Sequence, residues 1–149
     1  MTANWRFIKI SNHTLTSNES GKGGGINLRH RRFTETETEL TGTILAGKSA
    51  ADGVNCYRDV SSTSNNLIGI NAGCNYRARP SDLVGTALQP LDPMLGPHRA
   101  NGGPTHTHAL LEKSPAIDAG SPETELLQDQ RGFLSPVANK VDIGAFEQN

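Results

Sequence analysis

The sequence predicts an all-β domain of short strands and many turns, and three observations point there. Gly 16 and Pro 8, with abundant Asn, Ser and Thr, punctuate 149 residues too often for long helices. Thr34-Glu35-Thr36-Glu37-Thr38-Glu39 alternates strictly, which is the period of a strand, with threonines on one face and glutamates on the other. From Asn101 to Glu147, small residues, prolines and Asp and Gly punctuation recur with little helical periodicity.

Length and composition bound the rest. A chain of 149 residues supports one domain with a substantial core, but aromatics at 5 % exclude a large aromatic one. A formal net charge of -1 gives no electrostatic case for nucleic acid or an anionic membrane as partner. No apolar run approaches the length of a transmembrane segment. The opening MTANWRFIKISNHT has no apolar core of a signal peptide, so the chain is either cytosolic or begins inside a longer exported polypeptide. Cys56 and Cys74 permit one disulfide and make no recognisable metal motif; on counting alone, a bridge and two free thiols both stay open.

Taken in order, Phe7-Ile8-Lys9-Ile10 and Thr14-Leu15-Thr16 read as two strand-like pieces joined at an Asn-containing corner. Gly23-Gly24-Gly25 lacks the frame of a phosphate loop and is read as tight backbone turns. In the alternating stretch, Leu40 continues the threonine face, which predicts threonines and leucine inside and glutamates in water. Residues 40–47 read as a strand turning at Gly47. The stretches at about 48–65 and 71–82 read as polar loop insertions, with Asn66 to Ile70 as the credible strand between them. Leucines from Leu83 to Leu95 then stand singly or in pairs between prolines and glycines, as isolated anchors of irregular backbone. Pro122 to Gln128 fits one short helix, with Ser121 as cap, Pro122 at the first position and Glu123 in the first turn. Val141 to Phe146 reads as a closing strand.

Few residues suggest chemistry. Arg29-His30-Arg31-Arg32 would supply an anion- or glycan-binding edge through Arg29, Arg31 and Arg32, although such a cluster is more often a solvated loop beside a compensating acidic strand. His106 and His108 form an H-x-H pair that a strand would place on one face, a geometry that can take zinc, but no third ligand lies near in sequence. No nucleophile elbow and no triad order is present.

An ordered series of motifs carries a resemblance. Asn-Leu-Ile-Gly at 66–69, Asp-Leu-Val-Gly at 82–85 and Asp-Pro-Met-Leu-Gly-Pro at 92–97 come first. Asn-Gly-Gly-Pro-Thr at 101–105, Thr-His-Ala-Leu-Leu at 107–111 and Ser-Pro-Ala-Ile-Asp-Ala-Gly at 114–120 follow, then Asp-Gln-Arg-Gly at 129–132 and Asp-Ile-Gly-Ala-Phe-Glu at 142–147. Together they resemble the C-terminal end of the bacterial choice-of-anchor Q domain proteins, surface-associated right-handed parallel β-helices of the pectate-lyase-like kind. The resemblance covers residues 40 to 147, and the first 40 look like ordinary rungs.

The resemblance implies a short right-handed parallel β-helix over residues 1–100 and an irregular C-terminal cap of the same domain over 101–149, folded back over the last rung. Asp118, Asp129, Arg131, Asp142 and Glu147 would tie the cap together, with Arg131 paired to one of the carboxylates, and His108 would be a hydrogen-bonded structural residue. A calcium cage built from Asp118, Asp129 and Asp142 is the competing reading, disfavoured by an arginine among the carboxylates; otherwise no cofactor or metal is implied. The resemblance also implies a Cys56–Cys74 disulfide, as in an exported protein.

With about two turns ahead of the cap, the chain looks like the terminal piece of a longer extracellular or cell-surface precursor. Its partners would be upstream rungs, or a second copy meeting its open N-terminal edge. The function this predicts is non-catalytic capping and display. The alternative is a carbohydrate-active or glycan-binding β-helix whose catalytic rungs lie upstream, with polysaccharide as partner, and that alternative rests on fold analogy.

Overall fold

The structure, a computed structural model, describes residues 4–28, 34–47, 49–52, 55–121, 127–135 and 141–148. Among these residues eleven strands follow in chain order: β1 (Asn4–Ser11), β2 (Thr14–Leu15), β3 (Glu19–Lys22), β4 (Ile26–Asn27), β5 (Thr34–Thr41), β6 (Ile44–Leu45), β7 (Ser49–Asp52), β8 (Cys56–Ser64), β9 (Leu67–Ile68), β10 (Cys74–Arg77) and β11 (Leu83–Val84). The fold is all-β, with no helix among the described residues. Residues 122–126 of the expected short helix lie outside the described residues, and its end is not helical, because Gln128 bridges Leu134.

The strands form three sheets, ordered β1-β5-β8-β10 with β4 beside β8, β11-β9-β6-β2, and β3-β7. Each of these strand pairings is parallel, so the chain passes through the same sheets repeatedly. Asn4 lies beside Thr34, Thr14 beside Ile44, Glu19 beside Ser49 and Ile26 beside Cys56, four contacts at one constant spacing along the chain. The next pass is shorter, bringing Ile44 beside Leu67, and the last shorter again, bringing Leu67 beside Leu83.

The corners repeat with the strands. Asn12, Gly42 and Asn65 each follow a strand end and share the left-handed conformation, at φ 56, 54 and 51. Asparagine tolerates that region better than most side chains, and glycine does so without a Cβ to accommodate. At Gly42 the space a Cβ would need is taken by Asn12 Oδ1 from the preceding pass, so the stacking itself demands glycine there.

The two stretches expected to be polar loop insertions instead contain β7, β8 and β10, and β8 is the longest strand among the described residues. Serines and threonines hid it. Its inward positions are Val60 and Ser62, both buried, and a small polar side chain suits a crowded interior once its hydroxyl is bonded, as Ser62 is to Asp82 at 2.8 Å. On β5, Thr38 and Leu40 are buried. Glu37 and Glu39 lie on the other face, near Arg77 and Lys9 at 4.0 and 3.9 Å.

The sheet of β2, β6, β9 and β11 divides the apolar residues into two clusters. One face sends Leu45 and Ile68 to meet Leu40, Val60, Cys56, Ile26 and Leu28. The other sends Ile44 and Leu67 to meet Leu110, Ala116, Ile143 and Phe146. This sheet is therefore covered on both faces, which is why Ile44-Leu45 and Leu67-Ile68 are apolar at successive positions rather than alternating. The C-terminal third provides the outer cover. Rather than closing only the last pass, it runs along the flank of the stack: Asn65 Nδ2 bonds Ala119 O at 2.9 Å, Gly144 N bonds Gly42 O at 2.8 Å and Ala145 N bonds Thr14 Oγ1 at 3.1 Å. The reason is apolar: Ile44 and Leu67 are fully buried only because this segment lies on them.

Candidate functional site

Asp118, Asp129, Arg131, Asp142 and Glu147 come together in one network, and its centre is Arg131. The Arg131 side chain is 7 % exposed and that of Asp129 2 %, and the pair meets at 2.7 Å. Arg131 Nε also donates to Asp129 Oδ2 at 2.8 Å, its Nη2 to Glu147 O, and its Nη1 to Asn101 O at 3.5 Å. The rings of Phe146 and Phe133 lie 3.6 and 4.6 Å from the guanidinium, so its planar faces are packed as well as its edges. Gly103 lies against the same side chain, where a Cβ would approach Arg131 Cα to 2.6 Å.

The Asp129 carboxylate accepts from the backbone N–H groups of Arg131 at 2.8 Å, Phe133 at 3.2 Å and Glu147 at 3.1 Å. Burial pushes its pKa up, but the Glu147 N–H, then the Arg131 side chain and the remaining N–H donors, outweigh burial and hold it below the usual carboxylate value. Asp142 behaves oppositely. It accepts from the N–H groups of Asp118 at 2.7 Å and Gln148 at 2.6 Å, yet burial dominates and, with the charge of Asp118, holds its pKa above the ordinary value. Glu147 joins the two halves: its Oε1 accepts from Asp142 N at 2.8 Å while its backbone serves Asp129 and Arg131. These carboxylates face N–H donors, so the arrangement fastens loops to each other, which is mechanical work. Beside it a cleft of about 420 Å³ opens between this network and the corner Ser11-Asn12-His13.

His108 stands apart from the five. Its Nδ1 contacts Gly96 O at 2.7 Å, and the structure adds a neighbour that sequence spacing did not show: His98 lies 5.1 Å from His108 and 5.4 Å from His106 between ring centroids. Among the described residues, no three His, Cys, Asp or Glu side chains are disposed to hold a metal ion. Cys56 and Cys74 are bonded as a disulfide, with Cα atoms 5.3 Å apart. Arg29, Arg31 and Arg32 lie outside the described residues.

Sequence reasoning missed a second buried network. Asn66 is fully buried; its Oδ1 accepts from Thr43 N at 2.9 Å, and its Nδ2 donates to Leu40 O and Ser62 Oγ, each at 2.9 Å. Asp82 accepts from Asn66 N at 2.9 Å, Ser62 Oγ at 2.8 Å, Tyr76 OH at 3.0 Å and Arg79 N at 2.7 Å. Burial, with the Asp82 charge adding to it and a Ser62 hydrogen bond opposing, raises the Tyr76 pKa far above that of a free phenol. The signal was present: Asn66-Leu-Ile-Gly and Asp82-Leu-Val-Gly repeat one pattern, and the polar residue opening each ties one pass to the next. It also missed a corner where Lys22, Tyr57 and Arg58 line an open concavity of about 560 Å³ with Ser20, Asn27 and Leu28.

No family model, curated protein or solved structure matches the chain. No helix among the described residues is long and apolar enough to cross a membrane.

Proposed function

We propose that this chain is a right-handed parallel β-helix end of the choice-of-anchor Q kind, with a non-catalytic job of closing, bracing and displaying a longer exported coil. The observation that carries the reading is the constant register between β1–β4 and β5–β8: four successive strands stack on four successive strands in parallel, which is how one rung of a coil lies on the next. The C-terminal third supports the bracing role, because it fastens to successive passes, at the corners Asn65 and Gly42 and at Thr14 of β2. The Cys56–Cys74 disulfide supports an extracellular setting.

The open surface is the first rung. Ile8 lies beside Thr38, which faces the interior, yet Ile8 is 45 % exposed because none of the described residues covers that side; Phe7 is 61 % exposed. An upstream rung of the same coil is the natural occupant, with a second copy as its substitute in isolation. Blotting fractionated source cells with an antibody to this chain tests the reading. A much larger species outside the cytoplasm supports it; a species of this chain's own mass confined to the cytoplasm overturns it.

A further inference from the structure

Buried polar atoms in a native fold are almost always bonded, and Asn55 is an exception that lies beside a cleft. Asn55 is 1 % exposed, and its Oδ1 has no hydrogen-bond partner among the described residues. Turning the amide over would not relieve this. Its Nδ2 donates to Ile70 O at 2.9 Å, and a flipped amide would set oxygen against oxygen. Asn55 lines a cleft of about 220 Å³, and with Nδ2 tied back to Ile70 the oxygen is the group left over for it.

The other polar side chain of this cleft is Asp92. Its Oδ1 accepts from Met94 N at 2.8 Å, which leaves Oδ2 without a partner among the described residues. Asp92 is exposed and Asn55 buried, so the carboxylate stands at the mouth and the amide oxygen at the closed end. Ile70, Pro90 and Leu91 supply apolar wall between them, and no described side chain lining the cleft is a cation. Acceptors without donors select a ligand that brings N–H groups and positive charge. A bare calcium ion takes about six to eight oxygen ligands, more than these two side chains supply, whereas the apolar wall suits methylene groups. At Gly47 and Asp92 the cleft runs on into a second of about 330 Å³ between Ser17 and Pro97, which leaves room for whatever chain carries the amine.

We propose that this cleft binds a primary alkylammonium group, with Asp92 Oδ2 facing the charge, Asn55 Oδ1 accepting one N–H, and Ile70, Pro90 and Leu91 packing the methylenes. A lysine side chain of a partner and a free diamine share that chemistry. The proposal goes beyond closing and bracing a coil and does not depend on it, since described residues of this chain form the cleft.

Calorimetric titration and side-chain amide NMR of the full chain, with a blocked lysyl tripeptide and with cadaverine, test it. Lys48 follows Gly47 in sequence, so both wild type and Lys48→Ala are titrated, the variant lacking the chain's own amine nearest along the sequence. The amines are expected to bind, with affinity falling as salt rises and the Asn55 amide signals shifting. Tighter binding of the peptide assigns the site to a partner's lysine and tighter binding of cadaverine to a free diamine; either supports the shared chemistry. Asp92→Asn is the informative variant: its amide oxygen can still accept from Met94 N, so the unfolding midpoint should hold while affinity falls about tenfold. A trimethyl-lysyl peptide keeps the charge but loses the N–H donors, and should also bind about tenfold more weakly. Absence of binding to both proteins, equal binding of a norleucyl or trimethyl-lysyl peptide, or undiminished binding by a folded Asp92→Asn protein overturns the proposal. So do Asn55 signals unmoved at saturation, which would mean that an internal water satisfies its oxygen.

Discussion

Asp129 and Asp142 share one network and respond to acid in opposite directions. The Asp129 pKa is depressed in the fold, so its contribution to stability is present above its unfolded value near 3.8 and is lost as pH falls through the folded value. Asp142 is raised, so protonation favours the fold, and its contribution is full below about 3.8 and is lost as pH rises through the folded value. Urea unfolding at about pH 3 and about pH 7 reads the difference. Relative to Asp129→Asn, the wild type should lose advantage on acidification; relative to Asp142→Asn, it should gain. Replacing Arg131 by Met strands the Asp129 carboxylate in a buried place and should cost about 3 kcal/mol at neutral pH in the same measurement. Asn66→Ala should cost a similar amount, about 3 kcal/mol, because Thr43 N–H and Leu40 C=O would lose buried partners together. Salt should rescue neither variant, since both defects are unpaired buried groups rather than screened surface charges.

At the level of elements, the sequence was most legible where burial was one-sided. Strict alternation in β5 shows its two faces, and Thr38 and Leu40 lie inside as the pattern demands. Legibility fails in β8, where serines and threonines occupy inward positions and read as loop; only the partner strand and a bonded hydroxyl make them interior residues. It fails again at β3, where every described side chain is exposed and no apolar pattern exists to read, since the strand is specified by its parallel neighbour β7. The candidate site divides the same way. Asp129 and Arg131 lie two apart within one motif, so their pairing was open to guess. The gathering of Lys22 with Tyr57 and Arg58 depends on stacking that no local pattern encodes. The disulfide belongs to this scale too, as it fastens the start of β8 to the start of β10 across a sequence separation of 18. Replacing both cysteines by alanine should cost about 3 kcal/mol by loop-closure entropy, and reducing agent should lower the wild-type midpoint while leaving that of the double variant unchanged.

For the whole molecule, the decisive contact joins residues 131 apart in sequence, Ala145 N to Thr14 Oγ1. A coil whose rungs contact only their neighbours would unfold from its ends, rung by rung. Here the C-terminal segment crosses successive passes of the parallel strands and covers Ile44 and Leu67, so the passes share one outer core and should lose it together. Gly144 is where that coupling is tightest. It has a φ of 110, and a Cβ there would meet Thr14 Oγ1 at 2.8 Å and Ile44 Cδ1 at 2.9 Å, so even alanine is opposed by both backbone and neighbours. Gly144→Ala should therefore lift the segment off the stack rather than merely loosen a turn. In the wild type, the amides of Gly144 and Leu67 should exchange hydrogen with the same free energy, that of global unfolding. In Gly144→Ala, the amides from Ile143 to Ala145 should exchange far faster than those of β5 and β8, and unfolding should broaden into more than one step. Equal protection of the segment and the strands in the variant would mean that the stacked strands are one unit without their brace, and that the C-terminal third covers them without coupling them.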